Sequence, residues 1–476
     1  MLSNTSTFKH HTSNIYLMPY LYNTPADQTE MLATIGAGSL DELFDSVPQD
    51  LQLARSLDLP SAMSEMELEQ HLHRLANKNQ HAGQLVCFLG GGSYDHFVPA
   101  VVDAIGSRSE FYTSYTPYQA EASQGNLQVV FEYQSLITRL TGMEVSNASM
   151  YDGGSATAEA VLMAISTTGG RSAKKRQPNV VLPHSLHPEY RATIVTYLEN
   201  LDVQVRFLET PQGIIDREHL ANVLDDQTAA VVLQHPNFFG CLEDAEEITR
   251  ITHDAGALLI SVFDPISLGL LTRPGDYGAN IAVAEGQGLG TPMTYGGPYL
   301  GIMACDKKLV RRMPGRIAGQ TVDRRGNPCF VLTLQTREQH IRRAKATSNV
   351  CTNQGLFALR ATVYLAQLGP QGLRETATLC LQKAHYASQQ LCRHPRFSRA
   401  FDHPTFKEFV IRDAENRVDE LLQAATNHGY LAGIPLAPWF PELSDCFLVA
   451  VTEKRTQDEI DRWVGELTRC GAKVHI

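Results

Sequence analysis

Lysine is missing from a long central stretch of this 476-residue chain: none occurs between Lys175 and Lys307. The whole chain has fewer positive than negative residues: 40 Lys plus Arg and 51 Asp plus Glu give a formal net charge of −11. This balance argues against a nucleic acid or an anionic membrane as a partner. Any chemistry in the central stretch also has to proceed without a lysine amine from that stretch.

Several signals of cellular location and redox chemistry are absent as well. The amino terminus lacks a basic segment followed by an apolar one, so we expect no signal peptide. No apolar run reaches the ~20 residues that a membrane helix needs, and the nine cysteines include no Cys-x-x-Cys pair. We therefore expect a cytoplasmic protein with reduced thiols, without a disulfide framework or a metal site.

The stretch 256–304 contains three short apolar runs that predict buried strands. They cover residues 257–263, 280–284 and 298–304 and are separated by turns rich in Gly and Pro. Near-continuous apolar runs are typical of a parallel sheet that is covered on both faces. Asp264 follows the first run and Gly288 lies in the turn after the second. Open α/β sheets place their ligands at such strand ends.

Strands and helices alternate before that stretch, which predicts an α/β fold with a mostly parallel central sheet. The alternating segments are strands 180–182, 203–208 and 229–233 and helices 189–198, 217–224 and 244–254. We expect three parts along the chain: a tail with a helical arm over residues 1–85, a large α/β domain over 86–330, and a small α+β domain with its linking helix over 331–476.

A glycine-rich turn precedes an apolar helix predicted from residue 158. The run Asp152-Gly-Gly-Ser155-Ala-Thr157 offers backbone N–H groups, two hydroxyls and a helix N-terminus, which together suit a phosphate group. The run lacks the spacings of a P-loop and of a nucleophile elbow. Because many such turns bind nothing, its meaning depends on its neighbours.

These features resemble the aspartate-aminotransferase type (fold type I) of pyridoxal 5′-phosphate (PLP) enzymes. There a carboxylate pairs with the pyridine nitrogen and a lysine holds the cofactor as a Schiff base. Asp264 fits the first role, Ser155 and Thr157 fit the phosphate, and a ring at His187 could stack on the pyridine. The central stretch contains no lysine for the second role, and Gly288 occupies the position at which we expect that lysine. The chain therefore has the pattern of a PLP fold without its covalent anchor, and its own pocket could be vestigial.

Two polar segments lie outside the predicted strands and could contact a cofactor or a partner. The segment 112–124 has little apolar periodicity and supplies four candidates for polar contacts: Tyr115, Tyr118, Gln119 and Glu121. Ser348 and Asn349 follow a basic stretch and predict a loop at the rim of an active site or at an interface. For each of these residues a purely structural role is a real alternative.

Several sequence blocks together resemble one family, the α subunits (subunit 1) of two-subunit glycine dehydrogenase (decarboxylating), the P-protein of the glycine cleavage system. The blocks begin at Tyr115 (Tyr-Thr-Pro-Tyr-Gln-Ala-Glu-Ala-Ser-Gln-Gly), at Tyr151 (Tyr-Asp-Gly-Gly-Ser-Ala), at His187 (His-Pro-Glu-Tyr-Arg), at Gln234 (Gln-His-Pro-Asn-Phe-Phe-Gly) and at Gln335 (Gln-Thr-Arg-Glu-Gln-His-Ile-Arg-Arg-Ala-Lys). The resemblance as a whole runs in consistent order from about residue 18 to the C-terminus.

The resemblance implies a PLP-dependent reaction shared between two chains. Glycine is decarboxylated on PLP held by the β subunit, and the aminomethyl group passes to the lipoyl arm of H-protein. The lysine that anchors PLP then belongs to the β subunit, and Gly288 here agrees with that division. An α2β2 assembly is expected, with the segment 112–124 as the part of this chain that acts in trans.

Two other functions remain open on the sequence. One is a complete PLP enzyme that uses a lysine from a distant part of the chain. The other is a catalytically inactive scaffold or regulatory subunit with a PLP-type fold. The absent lysine argues against the first, and a comparison of activity with and without the partner chain would test the second.

Overall fold

The structure is a computed structural model that describes residues 23–53, 55, 57–168 and 177–470. The N-terminal tail expected from the sequence lies outside these residues. The chain divides into a unit that ends at Asn79 and a larger unit that begins at Gln80. The domain boundaries near residues 85 and 330 remain predictions.

The described residues of the first unit contain two α-helices, α1 (Pro25–Ile35) and α2 (Glu65–Ala76), and neither buries a side chain. Both begin with a capping box, in which Thr24 and Ser64 accept hydrogen bonds from the third helical residue. The residues after Ser39 form the single 3₁₀ turn Asp41–Phe44.

The larger unit contains eleven helices among its described residues. They are α3 (Ala100–Gly106), α4 (Ser109–Tyr112), α5 (Gln124–Thr141), α6 (Gly153–Thr168), α7 (Pro188–Leu198), α8 (Arg217–Val223), α9 (Ala245–Asp254), α10 (Gln339–Arg342), α11 (Gly355–Leu391), α12 (Val418–Asn427) and α13 (Gln457–Cys470). The helical backbone of α11 is interrupted at Gly369, which has a φ of 61°, and it resumes from Pro370.

Fifteen strands form four sheets in the described part of this unit. The strands are β1 (Val86–Cys87), β2 (Val145–Ser146), β3 (Asn179–Pro183), β4 (Gln204–Leu208), β5 (Thr228–His235), β6 (Leu258–Phe263), β7 (Ile281–Glu285), β8 (Gly301–Cys305), β9 (Ile317–Val322), β10 (Pro328–Thr333), β11 (Phe397–Arg399), β12 (Glu408–Asp413), β13 (Tyr430–Leu431), β14 (Ile434–Pro435) and β15 (Cys446–Ala450). Their extent follows the apolar runs, since a strand such as β6 is buried along almost its whole length.

The largest sheet has seven strands in the order β2-β8-β7-β6-β5-β3-β4. Strands β3 to β7 are parallel, which confirms the mostly parallel α/β fold. The third predicted strand of the central stretch, β8, is antiparallel to β7, contrary to a uniformly parallel arrangement. The reason is its connection: a parallel return needs a crossover, usually an α-helix, and residues 286–300 contain turns and only one short 3₁₀ segment, Thr294–Gly296.

A second, antiparallel sheet lies near the end of the chain, in the order β11-β12-β15-β14. Its apolar face packs with α12, α13 and the second half of α11 around the fully buried Trp463. The hairpin β9–β10 forms a separate sheet, and β1 pairs with β13. In the described residues, no helix has both the length and the apolar character to cross a membrane.

Candidate active site

The candidate site lies at the carboxyl-terminal edge of the large sheet, where open α/β sheets bind ligands. Asp264 directly follows β6, Glu285 ends β7, and α6 begins beside them at Gly153. A cavity of about 40 Å³, room for roughly two or three water molecules, lies at this edge. Its wall is completed by Lys407 and Glu408 from the small C-terminal sheet.

Asp264 has a partner in this chain that sequence patterns did not indicate. Its Oδ2 lies 2.7 Å from Nζ of Lys407, and the two side chains are only 12% and 2% exposed. The other carboxylate oxygen, Oδ1, accepts a hydrogen bond from the backbone N–H of Ile266. The carboxylate expected to face a pyridine nitrogen therefore forms a buried ion pair with a lysine.

The ammonium group of Lys407 is enclosed on its other sides by rings. Nζ lies 3.3 Å from the centre of the Tyr94 ring and 3.1 Å from Nε2 of His96. A cation over an aromatic face is stabilised by the ring quadrupole, more so when both are desolvated. Lys407 is thus held in place by Asp264, Tyr94 and His96 together.

The charges of this cluster continue to Glu453, whose Oε2 lies 2.6 Å from Nδ1 of His96. Burial on its own would raise the pKa of Glu453, but its contact with His96 and the hydrogen bond from the Phe97 N–H lower it to about 2. Cys380 lies beside the same carboxylate, and its Sγ completes a trio of potential metal ligands. Burial raises the pKa of the Cys380 thiol far above its ordinary value, so this sulfur is a poor ligand.

A PLP ring does not fit between Asp264 and Lys407 in this arrangement. A lysine that forms a Schiff base must reach the aldehyde carbon, which lies across the ring from the pyridine nitrogen, while the carboxylate pairs with that nitrogen. At 2.7 Å the ammonium instead stands in direct contact with the carboxylate. Lys407 therefore occupies the place of the pyridine nitrogen, and it is not positioned as an anchor for the cofactor.

Gly288 lies in the turn after β7, in the wall of the same cavity. A Cβ atom at this position would approach Cδ2 of His96 to 3.1 Å and the side chain of Ile266 to 3.8 Å. The first distance is closer than ordinary van der Waals contact. The space that a longer side chain at position 288 would need is thus filled by His96.

The N-terminus of α6, expected to bind a phosphate, is taken up by carboxylates of the chain itself. The N–H of Gly153 donates to Oε2 of Glu285 at 3.0 Å, and the N–H of Ser155 donates to Oδ1 of Asp152 at 2.7 Å. The Ser155 hydroxyl is bound within this turn, and the buried Thr157 hydroxyl donates to the Gly153 carbonyl at 2.6 Å. The favourable position for an anion at a helix N-terminus is therefore already filled.

Glu285, which is partly buried, is the more unusual of these carboxylates because of its pKa. Burial raises its pKa to about 7, although backbone N–H groups of Gly153, Leu300 and Gln287 lower it. The neighbouring Glu408 has a pKa raised to about 7 by burial as well, and it accepts hydrogen bonds from the Gly91 N–H and the Tyr94 hydroxyl. Both groups satisfy their oxygens within the chain.

His187 lines the cavity, but its ring is engaged by the protein. Nδ1 accepts a hydrogen bond from the N–H of Glu189 at the start of α7, and Nε2 donates to the carbonyl of Gly91 at 2.8 Å. The ring stacks on Tyr190 with centroids 4.5 Å apart. Burial lowers the pKa of His187 to about 4, so the imidazole is neutral near pH 7. Tyr190 therefore covers one face of the His187 ring.

Ser348 and Asn349 are not brought to this cavity. The Ser348 hydroxyl accepts a hydrogen bond from the Val350 N–H at 3.0 Å, and Asn349 is exposed. Ser348 instead faces Glu159, a buried residue of α6 whose pKa burial raises to about 7. Of the six cofactor candidates, only Asp264 and His187 line the cavity.

The segment 112–124 lies at the surface of the larger unit. Tyr115 is 80% exposed, Tyr118 is 55% exposed, and Gln119 and Glu121 are also exposed. A second cavity, of about 220 Å³, opens beside this segment and is lined by Tyr115 and by residues that precede α11. Of the four candidates, Tyr115 lines this second cavity, whereas Tyr118, Gln119 and Glu121 do not.

Comparison with known proteins gives this geometry its context. The family model described as glycine cleavage system P-protein matches residues 18–467. A probable glycine dehydrogenase (decarboxylating) subunit 1 from Carboxydothermus hydrogenoformans is 52% identical over 94% of this chain and 98% of its own length. The protein of the same name from Moorella thermoacetica is 48% identical over 94% of this chain and 99% of its own length.

Solved structures agree with these matches. A glycine decarboxylase (P-protein) of the glycine cleavage system, crystallised in inhibitor-bound form, has a TM-score of 0.84 and 41% identity over 95% of this chain and 99% of that one. A glutamate decarboxylase from Lactobacillus brevis, with a TM-score of 0.67 and 12% identity over 90% of this chain and 97% of that one, supports the fold alone. The chain belongs to the P-protein family of the glycine cleavage system, among relatives named subunit 1 of glycine dehydrogenase (decarboxylating).

Proposed function

We propose that this chain is the α subunit of a heteromeric glycine decarboxylase. It acts with a homologous β subunit that carries PLP on its own lysine, in an α2β2 assembly. Together the two chains decarboxylate glycine and transfer the aminomethyl group to the lipoyl arm of H-protein. The name subunit 1 of its relatives supports the need for a second subunit.

The Asp264–Lys407 ion pair is the main observation that supports placing PLP on the β subunit and not on this chain. It occupies the place where a PLP enzyme of this fold pairs a carboxylate with the pyridine nitrogen. The carboxylates of Glu285 and Asp152 occupy the neighbouring anion position at the start of α6. Since both ends of a cofactor site are filled by the chain itself, the cofactor is expected on the partner.

PLP on the partner supplies the electron sink that decarboxylation of an amino acid requires. The segment 112–124 of this chain supplies polar groups from outside that site. Tyr118 and Glu121 are exposed residues of this segment, so their side chains are accessible to a docked subunit. In this role they bind and orient the reacting glycine and help to exclude water.

Reconstitution from separate chains tests the proposal. Glycine–bicarbonate exchange in the presence of H-protein should be absent with either chain alone and should appear when this chain and the β subunit are mixed. Full exchange by either chain alone would contradict the division between subunits.

A scaffold without a catalytic contribution is the second candidate, and the occupation of the cofactor position by the chain's own side chains favours it equally. The two candidates differ in what the segment 112–124 does after assembly. If substitutions in this segment leave turnover at the wild-type rate in an intact complex, the chain serves as a scaffold.

A further inference from the structure

We infer that Arg316 is a positioning residue that fixes Tyr118 as a hydrogen-bond donor toward an anionic oxygen in the partner's active site. This inference rests on the proposed function, because it assumes that the segment 112–124 reaches that site. It adds a residue outside the segment that controls the geometry of one of its side chains.

Arg316 has a buried and rigid place in the fold. It directly precedes β9 and is only 3% exposed. Its own carbonyl accepts a hydrogen bond from the N–H of Ala148, which ties its backbone to the segment after β2. The guanidinium group is therefore presented from a fixed backbone, and a long, flexible side chain has little freedom left.

The guanidinium connects three parts of the surface. Nη2 donates to the hydroxyl oxygen of Tyr118 at 3.2 Å, and Nη1 donates to Oδ1 of Asn353 at 3.0 Å. Nε lies 3.8 Å from Oε2 of Glu338, which is 8% exposed and provides the compensating charge. Replacing any single contact would leave the planar group anchored by the others.

Tyr118 is held much more firmly than its 55% exposure suggests. Its ring lies 5.6 Å from the Arg316 guanidinium carbon, and the edge-on ring of His340 lies 5.8 Å away. The following helix is fixed as well, because both polar atoms of the Gln124 side chain bond to the backbone of Phe330 in β10. An exposed aromatic ring held in this way is pre-organised for contact with another molecule.

The direction of the hydrogen bond decides which chemistry Tyr118 can offer. A guanidinium N–H can only donate, so the Tyr118 oxygen accepts from Arg316 and its own proton points elsewhere. Tyr118 is thereby available as a donor to an acceptor on a docked molecule. A carboxylate or phosphate oxygen is the partner that a donor polarised by an adjacent cation binds best.

A double-variant cycle in the assembled complex tests this. Arg316→Met and Tyr118→Phe should each lower kcat on the order of tenfold with little change in KM for glycine. The double variant should be no slower than Tyr118→Phe alone, because Arg316 acts through Tyr118. With Arg316→Ala, added methylguanidinium should restore part of the lost rate, which a loss of fold stability would not allow.

Arg337→Met is the matched control. Arg337 is another buried arginine, but its guanidinium bonds to the backbone carbonyls of Leu334, Met313 and Gly315. Its removal should lower the thermal stability of the complex and leave kcat per assembled complex unchanged.

The possible failures are distinguishable. Additive losses in the double variant, or a wild-type rate in Arg316→Met beside a slow Tyr118→Phe, would overturn the role of Arg316 and leave the proposed function intact. A wild-type rate in Tyr118→Phe would overturn both the positioning role and the action of the segment in trans.

Discussion

Replacement of Lys407 by Met gives the sharpest test of how much the buried ion pair of Asp264 and Lys407 contributes to stability. The side chain is 2% exposed, and its removal leaves Asp264 without its 2.7 Å partner. Loss of one member of a buried ion pair is expected to lower the free energy of unfolding by about 3–5 kcal/mol. Met has a similar volume, so cavity formation adds little to this cost.

A matched surface pair separates the ionic effect from the general effect of losing a lysine. Lys308 lies 2.8 Å from Asp306, but its side chain is 64% exposed. Lys308→Met should therefore cost at most about 1 kcal/mol. The double variant Lys407→Met with Asp264→Asn should cost less than the sum of its single changes, since the second change removes the uncompensated charge.

Urea denaturation followed by far-UV circular dichroism measures all four variants. A cost for Lys407→Met no larger than that for Lys308→Met would refute the reasoning. Strict additivity of the Lys407 and Asp264 changes would refute it too, because independent groups add.

Three further predictions concern the cavity and the surface segment. Glu408 has a pKa raised to about 7, above its ordinary 4.5, so the free energy of unfolding falls as pH rises from about 4.5 to 7. In denaturation measured at several pH values, Glu408→Gln should remove this contribution, which is up to about 1.4 kcal/mol per pH unit. Gly288→Ala should destabilise the chain by about 1–3 kcal/mol through its close Cβ contact, whereas Gly465→Ala, with open space in α13, should stabilise it by about 0.5–1 kcal/mol in the same denaturation assay. Glu121→Gln and Tyr118→Phe should keep assembly and slow decarboxylation by about tenfold to a hundredfold, since a charge-assisted hydrogen bond contributes about 1.5–3 kcal/mol; loss of assembly instead would mark the segment as interface only.

The central strands β5 and β6 of the large sheet were predictable because each contains a nearly continuous apolar run. β5 and β6 are buried on both faces, and no other local structure suits such short runs between turns. The direction of β8 was not predictable from its own residues, because direction depends on the connection before it. The sequence likewise did not indicate that α11 resumes after Gly369, since Gly followed by Pro normally marks the end of a helix.

The candidate site shows a different limit of sequence reasoning. The absence of lysine between residues 175 and 307 directed attention to Asp264 and Gly288, and both residues line the cavity. The residue that enters the cavity is Lys407, which lies in another part of the chain at the start of β12. Only the packing of the small sheet against the large one brings it there, and no local pattern encodes that contact.

The most direct test of the central claim is to locate PLP in the assembled complex. The complex of this chain with its β subunit would be saturated with PLP, reduced with borohydride and digested, and the modified peptides identified by mass spectrometry. The account predicts a stoichiometric pyridoxyl adduct on one lysine of the β subunit and none on Lys407 or any other lysine of this chain. A stoichiometric adduct on a lysine of this chain would contradict it.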